Sequence, residues 1–152
     1  MSSQENIEFF ELGDKTSLIC ADANTVEAAK ATLRELGFKS HIAETPEVAV
    51  ERIRYTTYDC IMVHENFAGS SLRANAVLNH LATLPMAQRR YSFACLIGPS
   101  FKTLDAMQAF THSVHVVVNP ADLSNLGPIL KKGLAEFELL YGAYKETVES
   151  VL

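Results

Sequence analysis

Three side chains that could do chemistry follow two apolar runs of the chain. Asp22 comes directly after "SLICA" (17–21), His64 ends "DCIMVH" (59–64), and Glu65 is the next residue. In an open parallel sheet, ligands and reactive groups lie at the carboxyl ends of the strands. A histidine there can accept phosphate, act as a general base or bind a metal, and a carboxylate can pair with it. If the two runs are strands, these residues predict a polar site at one edge of a sheet.

The role of His64 has three interpretations. We favour a structural one, in which His64 hydrogen-bonds to Asp22 and stabilises the cluster of strand ends. A metal or small-ligand site and a phosphohistidine are the alternatives. Glu65 lies one position further on, so we expect its side chain to point into the loop and the solvent; a displaced phosphoacceptor is the alternative for this residue.

Five apolar runs alternate with five helical patterns, which is typical of βαβ units and a parallel sheet with helices on both faces. Asn24, Thr45 and Ser100 are the expected N-caps of the first, second and fourth helices. The fold class is therefore α/β, a doubly wound five-stranded parallel sheet with an extended C-terminal helix. The predicted strands are 17–21, 39–44, 59–64, 91–98 and 114–118, and the predicted helices are 24–38, 45–55, 70–84, 100–112 and 121–152.

Length and composition narrow the class of protein. The 152 residues are 48% hydrophobic and 20% charged, as in one ordinary globular domain. The net charge of −5 argues against a nucleic-acid partner, which requires many phosphate-neutralising Lys and Arg residues. No apolar run is long enough to span a membrane, and the acidic N-terminus does not resemble a signal peptide, so we expect a cytoplasmic protein without a membrane partner. Cys20, Cys60 and Cys95 each fall in an apolar run and are expected to be buried.

Three motifs carry a resemblance to a known family. "LGFKSHIAETPEVAVERI", "YDCIMVHENFAG" and "VVVNPADLSNL" resemble the corresponding segments of response-regulator receiver (CheY-like) domains, and the element order fits as well. The resemblance implies the flavodoxin-like (βα)5 fold. It divides the chain into an N-terminal extension (1–16), a receiver-like domain (17–137) and an extension of the last helix (138–152).

The resemblance also implies where a receiver would catalyse its own phosphorylation, and most of the required groups are missing. Receivers use an acidic pair, a nucleophilic aspartate, a Thr or Ser and a Lys at successive strand ends, and an aromatic residue that switches with phosphorylation. The corresponding residues here are Ala21 and Asp22, His64, Gly98, Asn119 and Val116, in that order. With Glu65, the residues Asp22, His64, Gly98 and Asn119 would form a degenerate phosphorylation pocket.

The missing receiver residues would all serve one reaction. Mg²⁺ prefers several oxygen ligands and neutralises the charge of the transferred phosphoryl group, so a receiver without its acidic residues lacks both the metal site and the charge neutralisation. With Asp22 alone, we expect weak or no Mg²⁺ binding, no other cofactor and no enzymatic activity. The sequence favours a pseudoreceiver, a protein–protein interaction module of bacterial signal transduction or regulation. It would bind through its C-terminal helix or through the face that the fourth helix, fifth strand and fifth helix form in receivers. The alternatives are an atypical phosphoacceptor or small-ligand sensor using Asp22, His64 and Glu65, and a remnant flavodoxin-like enzyme.

A heptad pattern marks the last helix. Apolar residues spaced alternately by four and three run from Leu130 to Val151, which indicates a seam of the coiled-coil type. The first part of the seam must pack on the sheet, while the second part is expected to protrude and to need a partner. A homodimeric helix pair, packing against Phe9 and Phe10, and a connector to another protein are the three possibilities. The predicted interface residues are Leu134, Phe137, Tyr141, Tyr144, Val148 and Val151.

Overall fold

The computed structural model describes residues 9–151 and confirms the predicted fold class. Five parallel strands lie in the order β2-β1-β3-β4-β5, with helices on both faces. None of the helices in the described part of the chain is long and apolar enough to cross a membrane. The strands are β1 (Lys15–Cys20), β2 (Phe38–Ile42), β3 (Cys60–His64), β4 (Phe93–Ile97) and β5 (Val116–Val118). The helices are α1 (Ala23–Glu35), α2 (Pro46–Tyr55), α3 (Ala76–Ala82), α4 (Met86–Arg89), α5 (Ala106–Thr111) and α6 (Leu126–Val151).

The sheet separates two hydrophobic cores because successive side chains of a strand point to opposite faces. Leu18 and Val63 belong to the core beneath α2, α3 and α5, and Ile19 and Met62 belong to the core beneath α1 and α6. All four side chains are completely buried or nearly so. The central strands are apolar along almost their whole length, which is the pattern expected of a parallel sheet covered on both sides.

Helix starts follow side-chain caps, which correct two of the expected boundaries. Thr45 caps α2 as predicted, since its hydroxyl accepts a hydrogen bond from the backbone N–H of Val48 at 3.2 Å. The helix predicted over 70–84 begins only at Ala76, because Asn75 is its cap. The helix predicted over 100–112 likewise shrinks to α5, whose cap is Asp105 and not Ser100. A short α5 leaves a long loop after β4.

Asn24 is also not a cap, since it lies inside α1 after Asp22. The first strand begins at Lys15, two residues before the predicted run. Residues 1–8 of the predicted N-terminal extension lie outside the described part of the chain.

The segment before β1 packs on the opposite side of the sheet from α6. The Phe10 ring stacks on the imidazole of His41 with 3.9 Å between centroids, next to the buried ring of Tyr58. These contacts belong to the core beneath α2 and α3, whereas the aromatic residues of α6 belong to the other core. Of the three possibilities for the last helix, packing against the N-terminal segment is therefore contradicted at Phe10.

The seam of α6 faces its own chain further than the heptad pattern predicted. Phe137 is buried against Phe93 of β4, and the Tyr141 ring lies 5.0 Å from the Phe137 ring. The guanidinium of Arg90 lies 4.1 Å from the centre of the Tyr144 ring, a favourable cation–π contact. Tyr141 and Tyr144 are thus not the free surface that we expected.

The reason is an element absent from the predicted set, the short helix α4, which is followed by Arg90 and Tyr91. These residues extend the body of the domain beneath α6. The ammonium of Lys145 lies 5.3 Å from the Tyr91 ring and pairs with Glu138 at 3.6 Å. Further along the seam, Val148 is half-buried and Val151 is exposed.

Close approach of α6 to the sheet requires a glycine. A Cβ at Gly133 would stand 2.7 Å from Cζ of the buried Phe93 ring, whereas a Cβ at Gly142 would meet only the exposed side chain of Glu138. We expect Gly133→Ala to lower the free energy of unfolding by about 1–2 kcal/mol, since overpacking outweighs the helix propensity of alanine. Gly142→Ala, the matched control, should raise it by about 0.5–1 kcal/mol. Urea denaturation of both variants checks this, and a stabilising Gly133→Ala would contradict the close approach.

Candidate functional site at the carboxyl ends of the strands

The strand register brings the predicted pocket residues to one edge of the sheet. Val63 pairs with Cys20, His64 pairs with Ile97, and Ile97 pairs with Val118. Asp22, Glu65, Gly98 and Asn119 follow these strand ends within two residues. The sequence therefore located the edge correctly, but the arrangement of the side chains differs from the expected one.

Glu65 is the main difference, because it points into the protein. Only 3% of its surface is exposed. Its Oε1 accepts a hydrogen bond from the backbone N–H of Ser100, and its Oε2 accepts one from the Ser100 hydroxyl, both at 2.8 Å. The expectation that Glu65 faces solvent was wrong. The two hydrogen bonds from Ser100 offset much of the free-energy cost of burying this carboxylate.

Gly98 is the residue that makes room for this carboxylate. A Cβ at Gly98 would lie 2.2 Å from Oε1 of Glu65 and 2.4 Å from its Cγ. The side chain of Glu65 therefore occupies the space that any larger residue at the end of β4 would fill. The resemblance to receivers places a Thr or Ser at this position, and a side chain of that size would not fit beside the inward-pointing Glu65.

His64 is tied to its own loop. Its Nδ1 accepts a hydrogen bond from the backbone N–H of Asn66 at 3.0 Å. Asn75, which is buried, donates to the carbonyl groups of His64 and Glu65 at 3.1 and 3.2 Å. No hydrogen bond or ion pair between His64 and Asp22 occurs within residues 9–151, so the predicted hydrogen-bonded pair is wrong. Nδ1 of His64 is engaged, and only Nε2 remains for a ligand.

Asp22 is an exposed carboxylate at the start of α1. The Thr25 side chain stabilises its charged form and lowers the pKa of Asp22 below the usual value, and the nearby His64 is a further, weaker cause. The two residues therefore influence each other electrostatically without a direct bond. An ionised, exposed carboxylate is suited to attract a cation but supplies a single ligand.

Asn119, at the position of the receiver lysine, connects the loop after β4 to the end of β5 by hydrogen bonds. Its Nδ2 donates to the carbonyl of Phe101 at 2.9 Å, and its Oδ1 accepts from the N–H of Ala121 at 2.9 Å. Its backbone N–H donates to the Thr103 hydroxyl at 2.9 Å, and this hydroxyl in turn donates to Asp122. Amide and hydroxyl groups thus hold the loop at the position where the resemblance places the lysine of a receiver.

The residues do not fit Mg²⁺. The ion prefers several oxygen ligands in octahedral geometry. Asp22 offers one exposed carboxylate, while the Glu65 carboxylate is buried and engaged with Ser100. Across residues 9–151, no group of three or more His, Cys, Asp or Glu side chains is placed to hold a metal ion.

The site is therefore a set of internal cross-links from β3 and β5 to the loop between β4 and α5. The carboxylate of Glu65 holds Ser100, and Asn119 holds Phe101, whose side chain is buried. Among the residues that sequence reasoning missed are Asn75, Ser100, Thr103 and Asp122. One sequence signal could have indicated that the Glu65 carboxylate points inward. It is the combination of an acid directly after β3 and a glycine directly after the neighbouring strand β4.

Comparison with known proteins supports the fold. No protein-family model and no curated protein matches the sequence. Solved structures do match: a response regulator from Chloroflexus aurantiacus J-10-fl is 16% identical with a TM-score of 0.64, over 80% of this chain and 98% of that chain. A response regulator from Thermotoga maritima is 16% identical with a TM-score of 0.60, over 80% and 98%. A CheY-like receiver domain from Methylobacillus flagellatus is 21% identical with a TM-score of 0.56, over 80% and 99%. The chain has the fold of a response-regulator receiver domain, and the predicted resemblance is confirmed at that level.

The packing of Glu65 over Gly98 predicts an energetic coupling between the two positions. Gly98→Ala should lower the free energy of unfolding by about 1–3 kcal/mol, because the new methyl group displaces a buried, hydrogen-bonded carboxylate. In a Glu65→Ala background the same change should cost less than half as much, since the methyl group then has space. A double-mutant cycle by urea denaturation measures this coupling, which contacting residues usually show at about 0.5–3 kcal/mol. Additive effects would mean that Glu65 does not occupy the space over Gly98.

Proposed function

We propose that this receiver-fold protein is a pseudoreceiver, a protein–protein interaction module of a signalling or regulatory pathway that works without phosphorylation. The observation that supports this most strongly is the hydrogen-bonded Glu65 carboxylate in the space over Gly98. It occupies part of the region where the receiver resemblance places the phosphoryl chemistry. The protein keeps the scaffold of a receiver and has replaced its reactive groups by internal contacts.

A phosphorylation switch would need the loop after β4 to move, and this loop is fixed from several sides. Besides Ser100 and Phe101, the N–H of Leu104 donates to the Val117 carbonyl at 3.0 Å. The alternative use of Asp22, His64 and Glu65 as a phosphoacceptor or small-ligand pocket requires an accessible Glu65, and this residue is buried. We therefore propose a single conformational state of the loop, presented constitutively to a partner.

The proposed binding surface lies on α5 and the facing side of α6. Met107 and Phe110 on α5 are 72% and 81% exposed, and Leu140 on α6 is 69% exposed. Leu104, which lines a groove between α5 and α6 together with Leu140, has a left-handed conformation with φ of 67°, which costs a non-glycine residue conformational energy. An exposed leucine held under such strain is unexplained by packing and favours a binding role. We call Leu104, Met107, Phe110 and Leu140 the α5–α6 patch.

The occupant of the α5–α6 patch is proposed to be a different protein of the pathway. The sequence predicted a homodimer through the heptad seam of α6. Tyr141 and Tyr144 of this seam make contacts within the chain and are less available to a second copy. Val148 and Val151 are too few for a stable helix pair. The net charge of −5 on each copy also opposes self-association.

A titration with Mg²⁺ and then beryllofluoride, a mimic of the phosphoryl group, tests the loss of phosphotransfer. We expect the amide NMR signals of Asp22, His64, Gly98 and Asn119 to stay unchanged at millimolar ligand, because no group at the site replaces the missing metal ligands and lysine. A His64→Asp variant is the matched control and should also stay silent, since Glu65 still fills the space over Gly98. Shifts in the wild-type protein that spread to β5 and α6 would contradict the pseudoreceiver proposal.

Introducing negative charge into the α5–α6 patch tests the interaction surface. The partner is first identified by affinity capture and purified. The double variant Met107→Glu with Phe110→Glu should then bind it about 10-fold or more weakly, because exposed apolar anchors dominate interface energies. The thermal midpoint should hardly change, since both side chains are exposed. Val48→Glu with Tyr55→Glu on α2, also exposed, is the matched control. Equal affinity of the two double variants would place the interface elsewhere.

A further inference from the structure

A second concave surface lies at the opposite, amino-terminal edge of the sheet. It is a groove of about 700 Å³ between α6 and the starts of β1, β2 and β3, within the size range of small-molecule sites. Apolar side chains form its interior, with Phe38 and Phe137 almost completely buried and Leu36 and Leu134 partly buried. None of these residues belongs to the strand-end site or to the α5–α6 patch.

Three lysines stand around this apolar interior. Lys15, at the start of β1, has its ammonium 5.7 Å from the centre of the Phe38 ring. Lys145, which is only 20% exposed, lies 5.1 Å from the Phe137 ring on the opposite side. Lys131 is exposed on α6 at the same groove. Within residues 9–151, neither Lys15 nor Lys131 takes part in an ion pair.

The carboxylates that line the groove are already engaged. Asp14 pairs with Lys39 at 2.9 Å, outside the groove. Asp59 accepts hydrogen bonds from the backbone N–H and the hydroxyl of Thr16 at 2.8 and 3.3 Å. Glu138 pairs with Lys145 at 3.6 Å. Lys15 and Lys131 therefore stand at the groove without an ion-pair partner in residues 9–151, while its three carboxylates are each bound to another group.

We propose that this groove binds an amphipathic organic anion, a small molecule with an apolar body and a carboxylate or similar acidic head. The apolar body would be buried against Phe38, Leu134 and Phe137, as hydrophobic burial requires. The acidic head would pair with Lys15 or Lys131, which supplies the charge complementarity. Such a ligand would bridge β1 and α6.

This inference goes beyond the proposed function and is independent of it. The groove lies at the end of the strands opposite Glu65, and the ligand makes no contact with the α5–α6 patch. A bound anion would stabilise the docking of α6 on the sheet by mass action.

Sodium decanoate, below its micellar concentration, is a suitable probe. Titration of the isotopically labelled full chain should shift the amide signals of Lys15, Phe38, Leu134 and Ala135 in a saturable way, and it should raise the thermal midpoint. Decyltrimethylammonium, with the same chain and the opposite charge, should bind at least about 10-fold more weakly. Equal binding of the two amphiphiles would overturn the proposed charge selection.

Variants locate the site. Ala135→Trp should abolish decanoate binding by filling the groove, whereas Ala143→Trp, also at an exposed alanine of α6, should leave it unchanged. Should Ala135→Trp fail to fold, the exposed pair Lys15→Gln and Lys131→Gln should still weaken binding at least 5-fold, and Lys132→Gln, whose lysine pairs with Glu136, should not. Absence of saturable shifts, or shifts confined to the α5–α6 patch, would overturn the proposal.

Discussion

The contact between the Glu65 carboxylate and Ser100 is the interaction on which the rest of the site depends. It joins the end of β3 to the loop after β4, and it exists only because Gly98 has no side chain. A buried carboxylate is costly unless donors satisfy it, so Ser100 must stay where its N–H and hydroxyl reach Glu65. The position of Ser100 in that loop is therefore tied to the Glu65 side chain.

The same loop leads to the surface that α5 presents. Residues 98–105 precede the short α5, whose cap is Asp105. Met107 and Phe110 of this helix are exposed. The strand-end site and the exposed side chains of α5 are thus joined by one loop. The groove beneath α6 is a separate feature, lined by Phe137 and Lys145 of α6 and by Tyr91, which Lys145 contacts.

The sequence predicted the sheet well and the site only in part. Apolar runs and helical periods specify βαβ units because burial of a two-sided sheet needs them, and the strand ends were located within a few residues. The direction of the Glu65 side chain was not predictable, because it depends on an absent methyl group at Gly98, which is distant in sequence. The heptad seam of α6 led to a wrong prediction for Tyr141 and Tyr144, because residue spacing shows which side of a helix is apolar but not what packs against that side. In the structure, Phe93 packs against Phe137 and Arg90 against Tyr144.

Hydrogen exchange of single amides tests the central claim most directly. The Ser100 N–H, bound to Glu65 Oε1, should be protected almost as strongly as the strand amides, and Glu65→Ala should abolish its protection while β1 and β3 keep theirs. This result would show that Glu65 holds Ser100 in place. Rapid exchange of the Ser100 amide in the wild-type protein, or equal protection in Glu65→Ala, would contradict the account.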